Sequence, residues 1–124
     1  MLERLVERLG ALGLTPPDEE GPLLETLLAG AKRWVLAETG QPKLPKGLKP
    51  VVVDMAAGEY LSFRKSVGRL EEFEEERVVR QMSQGDTSVT YAVEFGTVSP
   101  FEGLVAKLMT PPAAVISQWR RLRW

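Results

Sequence analysis

Two stretches of this chain space their apolar residues three and four positions apart, and that spacing constrains its fold more than any other feature. From Pro22 to Thr39, Leu24, Leu27, Leu28, Ala31, Trp34 and Val35 share one stripe, the period of a helix with one buried face. Gly40 is placed to stop this helix, and Gln41-Pro42-Lys43-Leu44-Pro45-Lys46-Gly47 reads as a loop from its prolines and glycine. The next helix should begin near Leu48 and run to about Lys65, with Pro50 in the first turn, where a missing N–H costs nothing. Its inward residues are Val51, Val52, Met55, Ala56, Tyr60 and Phe63. The valines 51–53 would also suit a strand, but the continuation through Met55-Ala56-Ala57 favours a helix.

Shorter helices are expected on either side. Leu2 to Leu12 turns Leu2, Leu5, Val6, Leu9 and Leu12 inward and leaves Glu3, Arg4, Glu7 and Arg8 in water. Gly13 and Thr15-Pro16-Pro17-Asp18 end it, because proline cannot continue the hydrogen-bond ladder. Asp18-Glu19-Glu20 reads as a solvated acidic loop leading into the next helix, whose N-terminal dipole suits negative charge. Near the end of the chain, Ser99, Pro100 and Glu102 have capping-box spacing. Leu104, Val105, Leu108 and Met109 follow on one side, and Thr110-Pro111-Pro112 breaks the helix. A last helix from Ala113 to Leu122 carries Val115, Ile116, Trp119 and Leu122 on one face.

Between these helices the pattern changes. Leu70 to Arg77 holds Glu71, Glu72, Glu74, Glu75 and Glu76, a run expected to repel itself and seek solvent. Beyond Val78–Ser83 and Gln84-Gly85-Asp86-Thr87, Val89, Tyr91, Val93 and Phe95 alternate with Ser88, Thr90, Ala92 and Glu94. Alternation next to a Gly-Asp turn is the sequence form of a β-hairpin. A lone hairpin is marginal in water, so this one needs the helices or a neighbouring chain. The expected fold class is therefore mainly α, a small bundle of about four to five helices with an inserted β-hairpin. The 124 residues fit one domain. Its parts are an N-terminal helix (1–13), two core helices (22–65), the hairpin (77–95), and C-terminal helices with a basic-aromatic tail (99–124).

Composition removes several chemistries. The chain has no cysteine and no histidine, which excludes disulfides, thiol nucleophiles, the usual zinc sites and the commonest general base. Its net charge of −1 sets up no overall field toward nucleic acid. Gly85-Asp86-Thr87-Ser88 lacks the lysine and second glycine of a phosphate loop. Ser62 and Ser66 flank Lys65, but sequence neighbours on a helix point in different directions. A calcium loop would need glycine-bearing spacing that the glutamates 71–76 do not have. No catalytic residue, metal site or cofactor is expected, so the chain is read as no enzyme. Apolar runs such as Val51-Val52-Val53 fall far short of the roughly 20 residues that cross a bilayer. With charges interrupting the first leucines, no export signal is read and the cytoplasm of the producing cell is the expected location.

The tail Trp119-Arg120-Arg121-Leu122-Arg123-Trp124 is the one segment that pulls toward a function. It suits a surface helix whose tryptophans cover the core. It suits equally a docking segment, since Trp and Arg recur at interface hot spots.

The order of elements resembles the head-tail connector (adaptor, head-completion) proteins of tailed bacteriophages. Ala31-Lys32-Arg33-Trp34-Val35-Leu36-Ala37-Glu38-Thr39-Gly40 is similar to a family helix that ends in Thr-Gly. Leu44-Pro45-Lys46-Gly47-Leu48-Lys49-Pro50-Val51-Val52-Val53-Asp54-Met55-Ala56 resembles the opening of the family's second helix. Met82-Ser83-Gln84-Gly85-Asp86-Thr87-Ser88-Val89-Thr90-Tyr91 is similar to a Ser/Gly-rich segment seen there. The likeness covers about residues 22–95. The longer acidic run and the opening helix depart from it.

This resemblance implies a structural virion protein at the head-tail junction, held in the host cytoplasm before assembly. Rings of about twelve copies, closed by rotation, dock on the portal protein and extend the channel toward a tail-side stopper or tail-completion protein. DNA would pass without sequence-specific binding, and no membrane is involved. On this reading Trp119, Arg120, Arg121, Arg123 and Trp124 are candidates for partner docking. Val89, Tyr91, Val93 and Phe95 are candidates for strand pairing between subunits. Glu71, Glu72, Glu74, Glu75 and Glu76 are candidates to face the channel, where negative charge would keep DNA from sticking. The alternative is a small helical nucleic-acid-binding protein of phage DNA packaging or regulation, which would need an exposed basic recognition helix.

Overall fold

The computed structural model describes residues 1–83 and 100–120. Within them the chain is mainly α, a small bundle of helices α1 (Leu2–Ala11), α2 (Gly21–Thr39), α3 (Lys49–Ser66), α4 (Glu72–Ser83) and α5 (Pro100–Met109). A short α6 (Ala113–Trp119) lies against α2. Single 3₁₀ turns, Asp18–Glu20 and Lys46–Leu48, lead into α2 and α3. The described residues include no β-strand.

Helix α3 is the hub, with α1, α2 and α5 all packed on it. That follows from its composition. Val52, Val53, Met55, Ala56, Ala57, Gly58, Tyr60 and Leu61 are all buried, more of the circumference than one stripe provides, so several helices can pack on it, while Asp54, Glu59, Ser62 and Lys65 stay partly or fully exposed. Against it α1 buries Leu5 and Leu9, α2 buries Leu24, Leu28, Ala31 and Val35, and α5 buries Phe101, Leu104 and Leu108. Gly58 lets α5 approach closely: a Cβ there would lie 2.7 Å from Met109 Cγ and 3.2 Å from the Val105 carbonyl oxygen. The valines 51–53 are helical, as Met55-Ala56-Ala57 led one to expect.

Thr39-Gly40 terminates α2 by a local mechanism. The buried Thr39 hydroxyl donates to the Val35 carbonyl at 2.7 Å. Gly40 takes a left-handed conformation, φ +69°, and its N–H closes on the Leu36 carbonyl. That is the geometry glycine adopts at no steric cost.

Several expectations need correction. Residues 77–83, expected as the first limb of a hairpin, are the second half of α4. Helix wins there because Glu72, Glu74 and Glu75 occupy the first turn, where the dipole favours carboxylates. Glu74 also reaches back to accept the Glu71 N–H at 3.2 Å, half of a capping box. Trp34 and Val6, expected inside, are 42% and 41% exposed, because each sits at the flank of its stripe while Val35 and Leu5 take the centre. Helix α6 stops at Trp119 rather than Leu122, with Arg120 extended (ψ 123°). Ser99 and the hairpin residues Val89, Tyr91, Val93 and Phe95 lie outside the described residues.

Candidate functional site

The most polar part of the interior sits where the start of α2 meets the end of α3. Asp18-Glu19-Glu20 forms a 3₁₀ turn, and Glu20 is buried at 7% exposure, not a solvated loop residue. The wholly buried Tyr60 donates its hydroxyl to Glu20 Oε1 at 3.0 Å. The Arg69 guanidinium comes within 3.5 Å of the same oxygen from the α3–α4 connection. Arg64, one turn beyond Tyr60, lies over its ring, 5.8 Å from the centroid. Burial pushes the Tyr60 phenol above its ordinary range. Its hydrogen bond to Glu20 adds to that, while Arg64 pulls the other way. Glu20 Oε2 and Arg64 Nε are buried without a hydrogen-bond partner among the described residues.

Chemically this cluster is a clamp. A protonated phenol and a guanidinium share one carboxylate, which ties the entry of α2 to the exit of α3. Neither Glu20 nor Tyr60 lines any of the three hollows described below. Sequence reading passed over Glu20 because nothing distinguishes it from Asp18 and Glu19. The four-residue spacing of Tyr60 and Arg64 was the available signal, since such pairs share a helix face.

The clamp continues into α4. Glu74 faces Arg64 at 3.7 Å and Glu75 pairs with Lys65 at 2.9 Å. The Lys65 ammonium also stands 4.7 Å from the centroid of the Phe101 ring. Arg77 stacks on Phe73 and donates to the Gly13 carbonyl at 3.1 Å, fastening α4 to the end of α1. The five glutamates of the run therefore divide. Glu74 and Glu75 turn onto α3 and are half-buried, while Glu71, Glu72 and Glu76 stay exposed. The run does not repel itself into solvent as a whole, because α3 ends in two cations.

Over the part described, the tail packs on its own chain. Trp119 rests on Gly47, where a Cβ would come 2.5 Å from its ring, and Gln41 donates to the Trp119 carbonyl at 2.7 Å. Arg120 donates to the Glu38 carbonyl at 3.2 Å and faces the Glu38 carboxylate at 3.8 Å. Both residues are thus engaged by the chain's own loop and α2. Arg121, Arg123 and Trp124 lie outside the described residues.

The described residues line three open hollows. One of about 520 Å³ runs between α4 and α5, lined by Glu72, Glu75, Glu76, Val79, Arg80 and Phe101. One of about 340 Å³, between α3 and α5, includes Ser62, Lys65 and Ser66. The Ser66 hydroxyl donates to its own helix at the Phe63 carbonyl, 2.8 Å away, and is no activated nucleophile. The third, about 570 Å³, lies between α1 and α3 at Arg4, Glu7, Arg8, Pro50, Val53 and Asp54, crossed by the 3.0 Å Arg8–Asp54 pair. Among the described residues no three acidic side chains converge as metal ligands, and no helix is long and apolar enough to cross a membrane. The chain matches no family model, no curated protein and no solved structure.

Proposed function

We propose that the chain is a structural connector of a tailed bacteriophage, assembling as a ring on the portal and extending the DNA channel for the next tail-side protein. The observation that carries this reading is the order of three motifs along one chain: the helix ending in Thr39-Gly40, the Leu44-Pro45…Met55-Ala56 opening of the next helix, and Met82 to Tyr91. The first two have a physical meaning that supports treating them as more than chance. Thr39 and Gly40 build the stop of α2, while Leu48, Val52, Met55 and Ala56 are buried where α3 enters the core. They are among the residues that build the α2–α3 core. Outside these helices, the partners are a portal, further copies of the chain and a tail-side protein. The roles of Val89, Tyr91, Val93 and Phe95 between subunits, and of Arg121, Arg123 and Trp124 in docking, belong to the same proposal.

The test mixes the purified chain with rings of the portal protein encoded beside it and images the mixture by electron microscopy. A second ring stacked coaxially on the portal is the expected result. Bare portals, or a genetic neighbourhood without portal and capsid genes, would overturn the reading.

A further inference from the structure

Among the described residues, the charges that make no ion pair are largely sorted by end. Helix α3, with 18 residues, is about 27 Å long at 1.5 Å per residue and defines the two ends. At its start lie the loop 41–48, the second half of α2 and the α1 surface that shares a hollow with Pro50. Lys43, Lys46, Lys49, Lys32, Arg33 and Arg4 belong to this end, and none of them forms an ion pair among the described residues. The carboxylates Asp54 and Glu38 there are already taken by Arg8 and Arg120, which leaves Glu3 and Glu7.

At the other end the balance reverses. Asp18, Glu19, Glu71, Glu72 and Glu76 are exposed and make no ion pair among the described residues. Arg64, Lys65 and Arg69 are committed to Glu74, Glu75 and Glu20, while Arg77, bonded only to the neutral Gly13 carbonyl, and Arg80 are the two cations left over against those five carboxylates. The stability of one isolated copy does not account for this arrangement. Lys46 and Lys49 stand at the positive end of the α3 dipole, where cations are unfavourable.

We propose that copies of this chain bind head to tail, the acidic α4 face of one against the lysine-rich end of the next. The proposal deepens the connector reading and rests on it for the closure of the chain of copies into a ring. A second copy is the occupant because each end complements the other and every copy carries both. A polyanion would use the lysines and leave the acidic end without a role. Such a contact uses two different faces per subunit, which is the heterologous geometry that a ring requires. Phe73 supplies the apolar centre. It is 60% exposed, the most exposed of the large apolar side chains described. It seats in the neighbour's hollow between Arg4, Pro50 and Val53, with Glu72 and Glu76 set against Arg4 and Lys49. Glu71, Glu72 and Glu76 thereby belong to a contact between copies rather than to the channel wall.

Sedimentation velocity of the full chain, run over a range of concentrations, tests this. Association is expected in about 0.05 M salt and should weaken at least about tenfold in about 0.5 M, where screening cuts surface attraction. Glu72→Lys/Glu76→Lys and Lys46→Glu/Lys49→Glu should each sediment as monomers alone and associate again when mixed in equal amounts. Phe73→Ala should weaken the wild-type association while leaving the monomer's thermal unfolding in place. A wild type that stays monomeric at every concentration in low salt overturns the proposal. So do reversed variants that associate like the wild type, or a mixture of folded variants that does not recover. If the lysine variant instead loses a short DNA duplex that a monomeric wild type binds, the basic end serves a polyanion and the proposal is wrong. Portal rings capped equally well by both variants would sink this contact and leave the connector reading standing. Copies that associate yet never cap a portal would do the reverse.

Discussion

Helix α3 is held by α2 and by α4 in two different ways. Against α2 it presents buried, mostly apolar residues, Leu28, Ala31 and Val35 on one helix and Val52, Ala56 and Leu61 on the other, all within one core. Against α4 it makes little backbone approach. α4 rests on α5 and reaches α3 through long charged side chains, Glu74 to Arg64 and Glu75 to Lys65. Val78 is the only fully buried side chain described on α4. Area removed from water stabilises the first contact in any salt. Partly exposed ion pairs stabilise the second by little each and are screened. The difference teaches that this small bundle has a firm α2–α3 centre and an α3–α4 seam held mainly by charge, with Val78 as the anchor of α4 in the core.

Breaking the firm side should have the largest effect. Leu28→Ala leaves a cavity between α2 and α3 and should cost about 2–5 kcal/mol in urea unfolding. A loss well below that would mean the seam collapses around the gap and is looser than described. Next comes the clamp that joins the two regions. Glu20→Ala strands the Tyr60 hydroxyl in the interior, at a cost of about 1–3 kcal/mol for a buried donor without an acceptor.

The same hydroxyl gives a pH signature. Its folded pKa lies above the unfolded value, so folding favours the protonated phenol. Its contribution is full below pH about 10, the unfolded value, and fades as pH climbs through the higher folded one. Wild type should therefore lose stability on that alkaline limb more steeply than Tyr60→Phe, and parallel limbs would show that Tyr60 is not held as a donor.

The smallest effect belongs to the charged side. Glu75→Ala should cost under about 1 kcal/mol, and that cost should shrink further in high salt. A larger, salt-independent cost would erase the contrast between the two sides of α3.

The sequence makes the firm side legible and the charged side obscure, for one physical reason. Burial leaves a period, so Leu24, Leu28, Ala31 and Val35 announce α2 and the Thr39-Gly40 stop follows from turn chemistry. Ion pairs leave no period. Nothing in Glu71 to Glu76 says that Glu74 and Glu75 will meet Arg64 and Lys65 while their neighbours stay in water. The same applies to the clamp, where Glu20 pairs with Tyr60 and Arg69, 40 and 49 positions away. Residues 77–83 misled by composition: Val78 and Val79 look strand-like, but the acidic first turn before them had already started a helix. The sequence leaves Trp119 open between cover and docking, and its contacts with Gly47 and Gln41 come from a loop whose prolines and glycine give no period to read.

Native-state hydrogen exchange at low and high salt tests the contrast most directly, because it reads the local stability of each helix. The amides of α4 should exchange faster than those of α2 and α3 and should quicken further in high salt, while α2 and α3 hold steady. Equal protection across the three helices, unmoved by salt, would contradict the account.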